Sequence, residues 1–113
     1  MPSVRAAATS LVDDLPSPWG LAALPDGRLL STSRDDGTVT VLDPVVGTVS
    51  AVNGPGADDL ASGTDHGGEG GLLGVAVGPT FAEDGTVVVY RTGEHGNEVL
   101  RGGSTWRARA WVR

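Results

Sequence analysis

Residues 65–74 read DHGGEGGLLG, which sets an aspartate, a histidine, a glutamate and five glycines within ten positions. Carboxylates beside an imidazole suit cation chelation or proton transfer, and glycine-rich backbone can wrap a phosphate. Spacing tests each option. A dinucleotide fingerprint needs glycine in its last position, but Gly68-Glu69-Gly70 leads to Leu73 there. A Walker loop needs a lysine, and all eight basic residues are arginine. A calcium loop counted from Asp58 has Gly63 sixth and Glu69 twelfth, yet Leu60 third and no helical pattern on either side. Asp65, His66 and Glu69 would chelate a cation, with His95 as a fourth ligand, if the two loops met; solvated loop side chains are the simpler reading, and no metal site is assigned. No Ser-His-Asp triad is argued, because a triad is defined by geometry that spacing does not give.

Composition narrows the classes further. The chain has 113 residues, a net charge of −6 and no cysteine, which excludes disulfides, thiolate metal sites and cysteine nucleophiles. Residues 1–100 hold four arginines against all fourteen acids, a net charge of −10, so duplex nucleic acid is not an expected partner. No apolar run has the length of a membrane span or of a signal-peptide core.

The elements that must position these residues are strands. Turn signals recur as PDG at 25–27, DDG at 35–37, DPVVG at 43–47, NGPG at 53–56 and EDG at 83–85. Short Val-, Leu- and Thr-rich segments lie between them, and Asp-Gly supplies the positive backbone angles of tight hairpins. The pattern predicts an all-β chain, with strands near 19–24, 28–33, 38–42 and 48–52 and a stray outer strand over 4–12. Gly20-Leu21-Ala22-Ala23-Leu24-Pro25 recurs as Gly74-Val75-Ala76-Val77-Gly78-Pro79, an offset of 54 residues, and four extra residues within TFAE precede the second Asp-Gly. Four short strands every 50 or so residues is the period of a β-propeller blade. The fold expected is a partial β-propeller, about one and a half blades of four-stranded antiparallel sheet, the second blade stopping after its third strand. Trp19 begins the first inner strand and is expected in core packing, with a place at the channel mouth as the functional alternative. Arg28, Arg34 and Arg91 read as edge or surface charges.

In order, LPSPWGLAALPDGRLLSTSRDDGTVTVLD and GGEGGLLGVAVGPTFAEDGTVVVYRTG resemble the opening of the glucose and sorbosone dehydrogenase family, the soluble quinoprotein sugar dehydrogenases, over about residues 11–101. The resemblance implies a six-bladed β-propeller that carries pyrroloquinoline quinone (PQQ) and calcium at its channel mouth. Such a protein oxidises the anomeric hydroxyl of aldoses or related alcohols by hydride transfer to the quinone, with a histidine as base. It also implies that Glu69, before the glycine-leucine turn, lies near the quinone pocket, with Trp19 at the substrate-channel mouth. The base histidine of the family lies in an H-x-G-R-L context that neither His66 nor His95 has. The basic cofactor-binding residues and the calcium loop belong to later blades, so this chain alone is expected to bind neither PQQ nor calcium and to be catalytically incomplete.

Residues 1–101 are thus expected as the N-terminal part of the propeller and 102–113 as a basic, unstructured tail, in which RGGSTWRARAWVR replaces the strand pattern as a frame shift or premature stop would. Self-association through open sheet edges is expected. The alternative to an enzyme-family member is a non-enzymatic β-sheet module that binds a partner through its edges or tail. Relatives are commonly periplasmic or secreted, and no export signal is visible here.

Overall fold

The computed structural model describes Ser3 and residues 5–52 and 55–102. The chain runs through β1 (Pro18–Ala23), β2 (Leu29–Ser33), β3 (Thr38–Asp43), β4 (Thr48–Ala51), α1 (Pro55–Gly63), β5 (Leu72–Val77), α2 (Phe81–Asp84), β6 (Val87–Gly93) and β7 (Gly96–Gly102). These make a four-stranded antiparallel sheet in the order β1-β2-β3-β4 and a three-stranded one in the order β5-β6-β7. The class is all-β, and the two sheets are the two blade units expected from the repeat. The tail from Gly103 onward lies outside the described residues, while Gly102 closes β7.

Local chemistry explains the turns. At the β1–β2 turn the Asp26 carboxylate accepts the Arg28 amide at 3.0 Å, while Gly27 takes φ +93°, which costs a residue without Cβ nothing. Between β3 and β4, Asp43 Oδ1 accepts the amides of Val45 and Val46, and Gly47 takes φ +80°. The extra residues of the second copy, TFAE, supply the N-cap Thr80 and the first three residues of α2. This single turn ends on Gly85, which adopts the left-handed conformation and donates its amide to the Phe81 carbonyl.

The internal repeat holds residue by residue. Each inner strand is bulged at the same place, between Pro18 and Leu21 in β1 and between Leu72 and Val75 in β5. The hairpin register also matches, Ala23 opposite Leu29 in one sheet and Val77 opposite Val87 in the other. The core lies between the sheets: Leu24, Leu30 and Val39 from the first meet Leu72, Val87, Val89 and Leu100 from the second. Two small features bring β1 and β5 together. A Cβ on Gly20 would lie 2.6 Å from the Leu73 carbonyl, so only glycine permits the approach. The buried Thr32 hydroxyl bridges the junction, accepting the Gly20 amide at 2.9 Å and donating to the Leu73 carbonyl.

Three expectations are corrected. Residues 55–63 form a helix, although no helical period was visible, because only the fully buried Leu60 ties it to the core while Pro55, Gly56 and Gly63 read as breakers. The strand expected over 4–12 does not form: residues 5–12 are irregular, having no strand to pair with, and Leu11, Val12 and Leu15 line a groove over the outer face of the first sheet. Arg91 is not a surface charge. It is 6% exposed, its Nε donates to Glu98 Oε1 at 2.8 Å, and its guanidinium lies against Gly63 and reaches the Asp59 carbonyl of α1 at 3.2 Å.

Candidate functional site at the sheet junction

The loop over residues 64–71 connects α1 to β5, and both sheets hold it. Its N-terminal side is fastened to the second sheet, where the Asp65 amide donates to the Thr92 carbonyl at 2.7 Å and the Thr92 amide to Gly71 at 2.9 Å. Its other fastening is Arg34, the residue after β2. The Arg34 carbonyl accepts the Leu72 amide at 3.2 Å and lies 2.7 Å from His66 Nδ1. A carbonyl only accepts, so Nδ1 carries the proton in this contact. In the repeat, Arg34 and Thr92 occupy equivalent positions, one residue beyond Ser33 and Arg91 respectively. The loop is therefore stitched between matching points of the two sheets.

Within the loop, glycines stand where a side chain has no room. Gly71 has φ +150°, and a Cβ there would lie 2.5 Å from the Arg34 carbonyl oxygen. A Cβ on Gly70 would lie 2.8 Å from the Asp65 carbonyl. Asp65 Oδ1 accepts the Gly67 amide at 2.9 Å and closes a local turn. Glu69 follows, exposed, and among the described residues has no hydrogen-bond or ion-pair partner.

The Arg34 side chain joins this loop to Trp19. Its guanidinium stands 5.5 Å from the centroid of the Trp19 ring, a cation–π contact, and Nη2 donates to the Gly68 carbonyl. Its Nε is buried without a partner among the described residues. Trp19 is 61% exposed, so core packing is not its role here. Trp19, Arg34, Gly68 and His66 thus form one connected cluster, with Glu69 next to Gly68 in the loop it holds. The sequence reads Arg34 as a surface charge because its loop partners, His66 and Gly68, lie more than thirty residues away; the one available signal is its place in the repeat, directly after a strand and before Asp35-Asp36-Gly37.

The other sequence candidates do not join the cluster. His95 sits on the turn between β6 and β7, almost wholly exposed, with only Glu94 near it at 3.8 Å. Among the described residues, no three of His, Asp or Glu come together as metal ligands. Asp58 and Asp59 lie in α1, so the twelve-residue loop counted from Asp58 is half helix. Arg28 is the surface charge expected, paired with Asp26 at 2.8 Å.

PQQ is a tricarboxylate, and the cluster offers it one guanidinium already engaged with Trp19 and Gly68, in a loop that also carries the acidic Glu69. That set does not fit the whole cofactor, and the described acids do not fit a calcium ion.

The family model described as Glucose / Sorbosone dehydrogenase matches residues 15–110. Among solved structures, the chain is similar to the PQQ-bound aldose sugar dehydrogenase of Streptomyces coelicolor, at 35% identity and a TM-score of 0.75, covering 92% of this chain and 31% of that one. It is also similar to an oxidoreductase described as a glucose dehydrogenase from Thermus thermophilus, at 32% identity and a TM-score of 0.72, covering 93% of this chain and 29% of that one. The soluble aldose sugar dehydrogenase of Escherichia coli, in its apo form, matches at 28% identity and a TM-score of 0.61, covering 82% and 26%. An uncharacterized protein of Synechocystis is 38% identical over 99 residues, 80% of this chain and 22% of that protein. The chain therefore spans less than a third of the length of each.

Proposed function

The chain belongs to the glucose/sorbosone dehydrogenase family, and from that premise we propose that it supplies the first two blades and part of the rim of a PQQ-dependent sugar-oxidising site. The observation that supports this reading is the loop held between Arg34 and Thr92, in which Glu69 follows Gly68, whose carbonyl the Trp19-stacked Arg34 guanidinium holds. In this reading Glu69 accepts a hydrogen bond from a sugar hydroxyl and Trp19 lines the mouth through which the sugar enters. PQQ supplies the hydride acceptor when it is bound, and the groups that hold it, the calcium ion and the base histidine come from outside this chain.

Two features support an incomplete site. The cluster has one cation for a tricarboxylate, and the nearer histidine, His66, is tied through Nδ1 to the Arg34 carbonyl. A general base must come within about 3 Å of the proton it removes, and His95, on its exposed turn, has only Glu94 in ion-pair range among the described residues.

The purified 113-residue chain is expected to give no quinone-dependent dye reduction with aldoses, PQQ and calcium. Dye reduction that disappears in His66→Ala or His95→Ala would mean that the active site is complete and lies elsewhere than in this reading.

A further inference from the structure

Arg34 is held differently from Arg28 and Arg91. Each of those has a carboxylate at 2.8 Å, whereas among the described residues the nearest carboxylate to Arg34 is that of Asp35, at 3.9 Å. Its guanidinium rests instead on the Trp19 ring, 5.5 Å from the centroid, and donates through Nη2 to the Gly68 carbonyl. The stem lies along the same loop, since a Cβ on Gly71 would stand 2.6 Å from Arg34 Cγ. The start of β1 is fastened to this turn as well. The Ser17 carbonyl accepts the Arg34 amide at 3.0 Å and its hydroxyl the Asp35 amide at 3.2 Å, with Ser17 at a left-handed φ of 37°. The bulge that follows, between Pro18 and Leu21, spans Trp19, and a bulge re-aims the side chains it carries.

The plan shared by the two sheets calls for neither Trp19 nor Arg34. Leu73 and Thr92 stand at the matching positions of the second sheet, so the same strands and bulge form there without a ring and a guanidinium. What the pair does hold is the loop. Gly67, Gly68, Gly70 and Gly71 surround Glu69, and no residue gives the backbone more freedom than glycine. A peptide unit is planar from one Cα to the next, so a hydrogen bond to the Gly68 carbonyl oxygen also constrains the amide and Cα of Glu69. Gly68 and Glu69 are the middle of a turn that the Gly70 amide closes onto the Gly67 carbonyl at 2.9 Å.

We propose that Arg34 is a positioning residue for Glu69, and that Trp19 acts through it by holding the guanidinium in place. The proposal rests on the reading of Glu69 as the group that hydrogen-bonds the sugar, and adds the device that aims it. The main-chain carbonyl of Arg34 fastens His66 and Leu72 whatever side chain follows, and the guanidinium adds a hold on the middle of the loop. Removing the guanidinium therefore frees the Glu69 peptide while the two ends of the loop stay where they are.

Amide hydrogen exchange, followed by nuclear magnetic resonance on the 113-residue chain, reads this hold directly. In Arg34→Met, which keeps an unbranched stem and removes the donors, the Gly70 amide should exchange about 10- to 100-fold faster, the range for losing a hydrogen bond to a charged group. The Asp65 amide, bonded to the Thr92 carbonyl, should be unchanged. Trp19→Leu should reproduce part of the acceleration and Trp19→Phe little of it, because phenylalanine still offers the cation a ring face. Unchanged exchange at Gly70 in Arg34→Met overturns the proposal, as does an equal acceleration at Asp65, which means that the whole loop has loosened. A second measurement places residues 15–102 in the Streptomyces coelicolor aldose sugar dehydrogenase in place of the matching segment. There Arg34→Met should lower kcat/KM for aldoses while Glu69 is present and have no further effect once Glu69 is alanine. Additive losses overturn the proposal, since Arg34 then acts other than through Glu69. An inactive graft, or a Glu69→Ala graft without loss, defeats the sugar-oxidising reading alone, and the exchange at Gly70 then decides the role of Arg34.

Discussion

The two sheets share one plan and differ in what occupies matching slots. Ser31 and Ser33 of the first sheet correspond to Val89 and Arg91 of the second, on the face that in one case meets the chain's own irregular N-terminal segment and in the other meets a sheet. The first sheet satisfies its slot with hydroxyls, Ser33 bonding to Pro16 and Ser17. The second uses a buried ion pair whose arginine also grips α1. The strands repeat because a blade needs the same turns and bulge each time. What does not repeat is the insertion α2 and the connector between the sheets, α1 and the loop after it.

Substitutions at matched or adjacent positions sharpen that contrast. The largest effect is expected at the sheet junction: Leu100→Ala should cost about 2–5 kcal/mol by urea denaturation, as a fully buried leucine does. Its neighbour Val99, on the free face, should lose no more than about 0.5 kcal/mol as alanine. Equal losses at the two would break the distinction between packed and free faces.

Next comes the ion pair. Glu98→Ala leaves the Arg91 guanidinium, 8% exposed as a side chain, without its carboxylate. A loss of about 3 kcal/mol is expected, and only about 1 kcal/mol for the hydroxyl bond removed by Ser33→Ala in the matching slot. Proteolysis within residues 55–71 should accelerate in Glu98→Ala and not in Ser33→Ala, because Arg91 reaches α1 while the Ser33 hydroxyl bonds to Pro16 and Ser17.

Much of the fold was legible in the sequence, because turn chemistry is local. Asp-Gly and the repeated Gly20 and Gly74 segments set the strands to within a residue or two, down to the third strand of the second blade. α1 was not legible, since a nine-residue helix anchored by Leu60 shows no apolar period. Arg34 and Arg91 were misread for a different reason. Trp19 and Glu98 are neighbours within a single sheet, set by strand register, whereas Gly68 and Asp59 come within reach only once the connector between the sheets is in place. Glu69 came from family resemblance alone, since neither spacing nor turn chemistry marks it.

Smaller effects are expected in the loop and turns. Gly71→Ala has both a backbone angle and a Cβ contact against it and should lower stability by about 1 kcal/mol or more, whereas Gly74→Ala, 3.6 Å from the nearest side-chain atom, should be accommodated. The smallest concerns acid. Hydrogen bonds from Thr86, with a further one from Thr80, hold the Asp84 carboxyl below its ordinary 3.8, and the Arg28 amide does the same for Asp26. Because these groups are depressed in the folded state, their contribution is fully present above about pH 4 and is lost as the pH falls through the folded value. Asp84→Asn should therefore flatten slightly the acid limb of melting temperature against pH, by a small loss in the neutral region and none at the acid end.

The central claim, that the clamped loop is this chain's contribution to a sugar-oxidising site, is tested most directly by grafting residues 15–102 into the Streptomyces coelicolor aldose sugar dehydrogenase in place of the matching segment and comparing Glu69→Ala with the parent graft. The account predicts quinone-dependent aldose oxidation by the graft, and a fall of about 10- to 100-fold in kcat/KM on Glu69→Ala, the range for losing a hydrogen bond to a charged group, with the melting temperature unchanged. An active graft whose kcat/KM is untouched by Glu69→Ala contradicts it.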